Sequence, residues 1–225
     1  MRENFIQTGT KGHDQRTYLE GDWFNHGIPS NVVMAGKVYI DTSYGFAGFN
    51  SGQPAAMFID EASGCYDRSS FITSGNGKIH IGKFSILNGT TLISNNNIAI
   101  GDHCMLSWGS VITDSWLPAG DSKAARRELL ETAAVAPFRQ YPFFEDSKPV
   151  VLEDNCWVGF GAVIMPGVRL GKGCIIGCKT IITRDVPPYA IVAGGDAKII
   201  RFLLPDDTEE EKQNSFKACL NQQFF

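Results

Sequence analysis

Large aliphatic residues return at every sixth position from Leu152 onward: Leu152, Val158, Ile164, Leu170, Ile176 and Ile182. Smaller residues, Cys156, Ala162, Val168, Cys174 and Thr180, stand four places after the first five of these. Glycine follows the aliphatic residue at Gly159, Gly171 and Gly177. Upstream the spacing recurs at Ile81, Leu87 and Ile93, then, after one extra residue, at Ile100, Leu106 and Ile112. A helix repeats near 3.6 residues and a half-buried strand at 2, so a period of six fits neither. It fits short strands joined by tight turns. Three such rungs make a triangular coil with the large aliphatic residue and the small one sharing its interior. Coils then stack at about 4.8 Å, each burying the open edge of the last. An antiparallel sandwich would instead show alternation and irregular loops. The expected fold class is therefore all-β, a parallel β-helix of hexapeptide repeats.

The period divides the chain. Residues 1–50, with Trp23, the Gly27-Ile28-Pro29 stretch and GFAGFN, lack it and are expected to form an irregular cap. A first block of coils is expected over 51–116, looser around MFID and FITS and regular from Ile79. From 117 to 148 the period vanishes. That segment reads as an extruded loop with a short helix in DSKAARRELLETAAV, followed by the aromatic stretch PFRQYPFF. A long excursion from a regular solenoid is usually functional, since the scaffold does not require it. The second block is expected over 149–201, and residues 202–225 read as a C-terminal helix with an acidic first turn.

Composition narrows the function. The chain has 225 residues, is 43% hydrophobic and 20% charged, and carries a formal charge of −4. Without a concentrated basic patch, nucleic acid and anionic membrane are not expected as main partners. No apolar run reaches the roughly 18 to 20 residues of a membrane helix, nor does the N-terminus carry a signal-peptide core, so a cytoplasmic location is expected. Six cysteines are too sparse for a disulfide-stapled scaffold, and reduced thiols are expected. Cys156 and Cys174, eighteen residues apart, should stack in the interior as small buried hydrophobes.

The stretch VLEDNCWVGFGAVIMPGVRLGKGCIIGCKTIITRDVPPYAIVAGGDAKIIR resembles the C-terminal half of the hexapeptide-repeat acyltransferases. The branch it resembles holds sugar and xenobiotic O- and N-acetyltransferases. The resemblance implies a left-handed parallel β-helix, a homotrimer, and acetyl-CoA as co-substrate in the groove between neighbouring coils of two subunits, with no metal. It also implies cofactor contacts at Trp157, beside the thioester arm, and at Phe160 and Cys178. Thr183 and Arg184 match the family's Thr-Lys pair near the cofactor, and Lys198 and Arg201 match basic residues near its phosphates. Cations on fixed turns suit a long polyanion.

One departure from the family matters. Its sugar O-acetyltransferases present a histidine base just after the first block, and here that stretch reads WGSVITDSWLPAGD, with Ser115 in the histidine's place. A hydroxyl nucleophile without a general base loses about 10²- to 10⁴-fold in rate. His103, outward and near a turn, and Asp114 are the remaining candidate bases; His13, His26 and His80 read as packing or surface residues. An amine acceptor relieves the difficulty, because with a pKa near ~8 it is partly neutral without a strong protein base. Trp108, Trp116 and Tyr141, with Phe143 and Phe144 nearby, are candidates for stacking on a sugar or base. The reading is an acetyl-CoA-dependent acetyltransferase for a sugar or nucleotide-sugar amine or hydroxyl, by direct attack on the thioester, in surface-polysaccharide synthesis. Two alternatives stay open: a catalytically silent relative that binds coenzyme A or a sugar nucleotide, and a metalloenzyme of the γ-carbonic anhydrase type. The latter needs three histidines on one metal.

Overall fold

A computed structural model describes residues 9–116, 122–135 and 146–203. Short strands stack in register into three flat faces, an all-β parallel helix. The first face runs from Val32–Met34 through Met57–Ile59, Lys78–Ile81, Asn97–Ile100 and Val150–Leu152 to Arg169–Leu170. The second runs from Tyr39–Ile40 through Gly64–Tyr66, Ile86–Asn88, Met105–Leu106, Trp157–Val158 and Ile175–Ile176 to Ala190–Ala193. The third stacks Ser70–Thr73, Thr91–Ser94, Val111–Thr113, Val163–Ile164 and Ile181–Ile182.

The hexad residues fill the interior. Leu152, Val158, Ile164, Leu170, Ile176 and Ile182 are all buried, as are Ile81, Leu87, Ile100, Leu106 and Ile112. Ile93 is a correction. Leu92 and Ser94 point inward and Ile93 outward, because Leu92 is the residue in register with both Phe71 and Ile112. The turn at Gly89 (φ 52°) joins the strands with one residue fewer than the hexad, and the period slips there.

Coils also reach further toward the N-terminus than the aliphatic pattern indicates. Ile59, Cys65 and Phe71 are fully buried at steps of six, and Val32–Met34 with Tyr39–Ile40 and a 3-10 turn at Ser43–Phe46 builds a first coil inside the segment expected as a cap. At the other end Lys198–Phe202 is not a coil rung. It turns back antiparallel along Ala190–Ala193. A helix spans Lys123–Val135 in the extruded segment. The expected C-terminal helix falls almost wholly on 204–225, outside the described residues.

A column of small polar side chains ties successive coils together from within. Ser63 Oγ donates to the Gly82 carbonyl (2.6 Å) and Ser85 Oγ to that of Gly101 (2.8 Å). Thiols continue it: Cys104 Sγ meets the Glu153 carbonyl at 3.2 Å, and Cys156 Sγ that of Gly171 at 3.4 Å. Cys156 and Cys174 sit with their sulfurs 3.6 Å apart, both free thiols. Burial pushes the Cys65 thiol up to about 12.

Candidate functional site

The corner between the second and third faces carries the largest group of candidate residues. Counting two places past the inward residue of the second to sixth strands of the second face gives Asp67, Gly89, Trp108, Phe160 and Cys178, one per successive coil. Parallel stacking alone therefore brings Trp108 and Phe160 together. Their rings stack, 5.5 Å between centroids and 11° between planes, and both stay about half exposed. Trp108 also donates its indole N–H to the Asp67 carboxylate. Gly89 permits this: a Cβ there would stand 3.0 Å from Trp108 Cδ1.

Trp157 lies on the second face next to this corner, in register with Met105 and Ile175. It packs on the outer cluster of Ile175, Ile191 and Leu203. Between Trp157 and Phe160 the chain has only Val158, which points inward, and Gly159. A Cβ on Gly159 would meet the Cys178 nitrogen and the Ile176 oxygen at 2.8 Å, so no side chain fits and the backbone lies bare beside Trp157. A narrow, amide-bearing arm can lie along such a strip, and the half-buried Cys178 is on the next coil.

The second group stands at the end of the third face, where the chain leaves the solenoid. Asp114 is fully buried. Its carboxylate accepts from the Asn95 N–H (2.7 Å), the Asn96 N–H (2.9 Å) and the Ser94 hydroxyl (2.7 Å). Burial pushes Asp114 above the usual carboxylate range, and those donors pull the other way. Its carbonyl accepts the Lys148 N–H at 2.8 Å, while Asn96 Nδ2 donates to the Ser147 carbonyl at 3.3 Å. The two ends of the extruded segment are thus pinched side by side, and Asp114 holds the neck. Ser115 is buried as well, its hydroxyl donating to the Trp116 carbonyl (3.2 Å) and its N–H to Thr113 Oγ1 (3.2 Å). Trp116, just outside, is half exposed. Thr183 and Arg184 follow Ile182 on the same face, both exposed.

The three catalytic candidates do not form one cluster. His103 lies at the corner between the first and second faces, with φ 57°, stacked on Phe84 at 5.1 Å. The strand Met105–Leu106 separates it in the chain from Trp108. Lys198 and Arg201 are exposed on the antiparallel return strand, and Lys198 Nζ is 3.6 Å from Asp196. A small cleft of about 90 Å³ lies between that strand and Arg184, walled by Val186, Pro187 and Ile199. Tyr141, Phe143 and Phe144 lie outside the described residues. Among the described residues no cluster of three or more His, Cys, Asp or Glu is arranged to hold a metal, and no helix is long and apolar enough to cross a membrane. Sequence reasoning missed Asp67 and Gly89. The signal for both was their shared offset from the inward residues.

Comparison with known proteins places these features in context. The sequence profile "Bacterial transferase hexapeptide (six repeats)" matches residues 149–184. A chloramphenicol acetyltransferase of Agrobacterium fabrum is 32% identical over 120 residues, 50% of this chain and 55% of that protein. A galactoside O-acetyltransferase of Lactococcus lactis is 28% identical over 153 residues, 67% of this chain and 66% of that one. The chain spans about half to two thirds of the length of these two relatives. Among solved structures, a mutant of the N-acyltransferase AntD from Bacillus cereus, in complex with dTDP and coenzyme A, has a similar fold. Its TM-score is 0.58 at 16% identity, covering 83% of this chain and 91% of that one. A hexapeptide-repeat acetyltransferase of Vibrio cholerae complexed with acetyl coenzyme A gives a TM-score of 0.52 at 23% identity, over 66% and 72% of the two chains.

Proposed function

We propose that the chain is a member of the hexapeptide-repeat family of bacterial transferases, whose profile matches residues 149–184, and that it transfers an acetyl group from acetyl-CoA to a sugar or nucleotide-sugar amine, or to a hydroxyl. The observation that carries the reading is the second–third corner, where Trp157, the bare backbone at Gly159, Phe160 and Cys178 follow one another beside the stacked Trp108. The pantetheine arm lies along that strip, with Thr183 and Arg184 nearby and Lys198 and Arg201 toward the phosphates. A homotrimer, a cytoplasmic location and a role in surface-polysaccharide synthesis belong to the same proposal.

The bound thioester supplies the acyl group; the chain's own part is to position two reactants. Trp108 and Trp116 offer exposed rings to the acceptor, and Tyr141 joins them in the proposal. Covalent catalysis is disfavoured by the surroundings of the nucleophiles. Cys104 is buried with its thiol pushed up, and the Ser115 hydroxyl is spent on the Trp116 carbonyl. Direct attack by a neutral amine avoids both, with backbone N–H groups of the strip as donors to the developing oxyanion. Asp114, enclosed by its donors, acts here by holding the neck rather than by meeting the acceptor. The separation of His103, Asp114 and Ser115 also favours a second reading, a silent relative that binds coenzyme A without turnover.

Calorimetric titration of acetyl-CoA into the protein and into a Lys198→Ala, Arg201→Ala variant tests the donor half. Weaker binding in the variant is expected, and no binding at millimolar acetyl-CoA would remove the proposal. An acceptor screen of amino sugars against plain sugars separates enzyme from silent binder.

A further inference from the structure

Exposed rings also stand on the second face beside this corner. On the second face, at the other end of the solenoid, Tyr39 and Tyr66 form another stacked pair, 4.8 Å between centroids and 23° between planes. Their exposures, 40% and 39%, are close to the 47% and 49% of Trp108 and Phe160. Tyr66 is followed directly by Asp67, the residue that holds the Trp108 indole, so the two pairs are joined through one carboxylate. On the coil between them the half-buried Ile86 and Asn88 face outward beside Gly89, so that coil carries no ring.

Tyr39 is on the first coil and Phe160 on the fifth, four spacings of about 4.8 Å or roughly 19 Å apart along the stack. A line of exposed rings interleaved with carboxylate and amide groups is amphipathic in the way a sugar chain is. Pyranose rings present apolar C–H faces to aromatic side chains and a rim of hydroxyls to polar ones. One pyranose unit is about as long as one coil spacing, so successive units of an extended glycan stay in step with successive coils. A buried protein interface would instead favour a continuous apolar core without charge at its centre.

We propose that this edge is an extended acceptor site: a glycan of about four pyranose units lies along it, across Tyr39 and Tyr66, with its reacting unit at the Trp108–Phe160 pair. The inference rests on the acetyltransferase reading for what happens at that pair. Donor and acceptor then approach from opposite ends of the solenoid, coenzyme A from the C-terminal coils and the glycan from the N-terminal ones. The acceptor is thereby a polymer or oligomer, not a free monosaccharide.

Binding of chito- and malto-oligosaccharides of one to six units is measured by calorimetry, with and without acetyl-CoA, on the wild type and on Tyr66→Ala and Tyr66→Leu. For at least one series, affinity should rise at least tenfold from one unit to four and then level off. Both variants should lose most of that rise and keep wild-type affinity for acetyl-CoA. Affinity independent of length, or a length dependence that survives both substitutions, overturns the inference. So does saturable binding of dTDP at this edge, reversed in Tyr66→Ala, with no binding of either sugar series. The two readings fail separately: length-dependent glycan binding without acetyl-CoA binding removes the transferase and leaves the groove. Acetyl transfer to single sugars without length dependence does the reverse.

Discussion

Trp108 and Asp67 are 41 residues apart in sequence, yet the indole N–H of one is fixed by the carboxylate of the other across the side-chain-free position at Gly89. The exposed ring therefore has a set orientation, and its stacking on Phe160 is a property of the folded stack rather than of either coil alone. Replacing Asp67 by Ala should release it. Acrylamide quenching of tryptophan emission should increase, and the increase should vanish in a Trp108→Phe background. If transfer is measurable, KM for the acceptor should rise several-fold with kcat little changed, the pattern of lost uniform binding.

The register of the third coil predicts unequal costs for two adjacent truncations. Leu92 is fully buried between Phe71 and Ile112, so Leu92→Ala should cost about 2 to 5 kcal/mol in urea unfolding. Ile93 faces outward, and Ile93→Ala should cost well under half as much. Equal losses would mean that the hexad count, not the observed pairing, describes this coil.

Thr180 is buried, and among the described residues its hydroxyl has no hydrogen-bond partner. An unsatisfied buried hydroxyl costs about 1 to 3 kcal/mol, and valine keeps the shape without it. Thr180→Val should raise stability by about 1 kcal/mol in the same assay.

Asp114 gives a pH signature. Burial holds its folded pKa above the unfolded value of 3.8, so the native state favours the protonated form. Its stabilising contribution is complete below 3.8 and is lost as pH rises through the folded pKa. Asn is neutral throughout and loses this dependence. The melting temperature of Asp114→Asn should fall furthest below wild type near pH 4, and the gap should narrow toward pH 7. A constant gap would contradict the assignment.

The second block was legible because each of its rungs needs a large aliphatic residue inside, and Leu152 to Ile182 supply one at every step. The early coils were not, since Cys65 and Phe71 fill the same inward places without looking like the repeat. Ile93 misled because Leu92 and Ile93 are equally apolar and only pairing decides between them. At the site, resemblance named Trp157, Phe160 and Cys178, and stacking set Phe160 and Cys178 in one column, with Trp157 three places before Phe160. What no local pattern could give was the partnership of Asp67 with Trp108, because it depends on which residues occupy the intervening coil. The neck was equally hidden: Asp114 reads as a candidate base until the N–H groups of Asn95 and Asn96 are seen around it.

That neck has a consequence for how such a protein changes over generations. The solenoid runs on from Thr113 to Val150 as though little intervened, because Val111 and Ile112 pair directly with Val163 and Ile164 while Lys148 is tied to the carbonyl of Asp114. Whatever is inserted between the two sides of the pinch meets the same closed base. Lengthening the insert costs only the slow logarithmic growth of loop-closure entropy, about 0.6 kcal/mol per doubling. Drift in the insert and drift in the coils are therefore free to proceed at different rates, and descendants with the same stack can carry inserts of very different length.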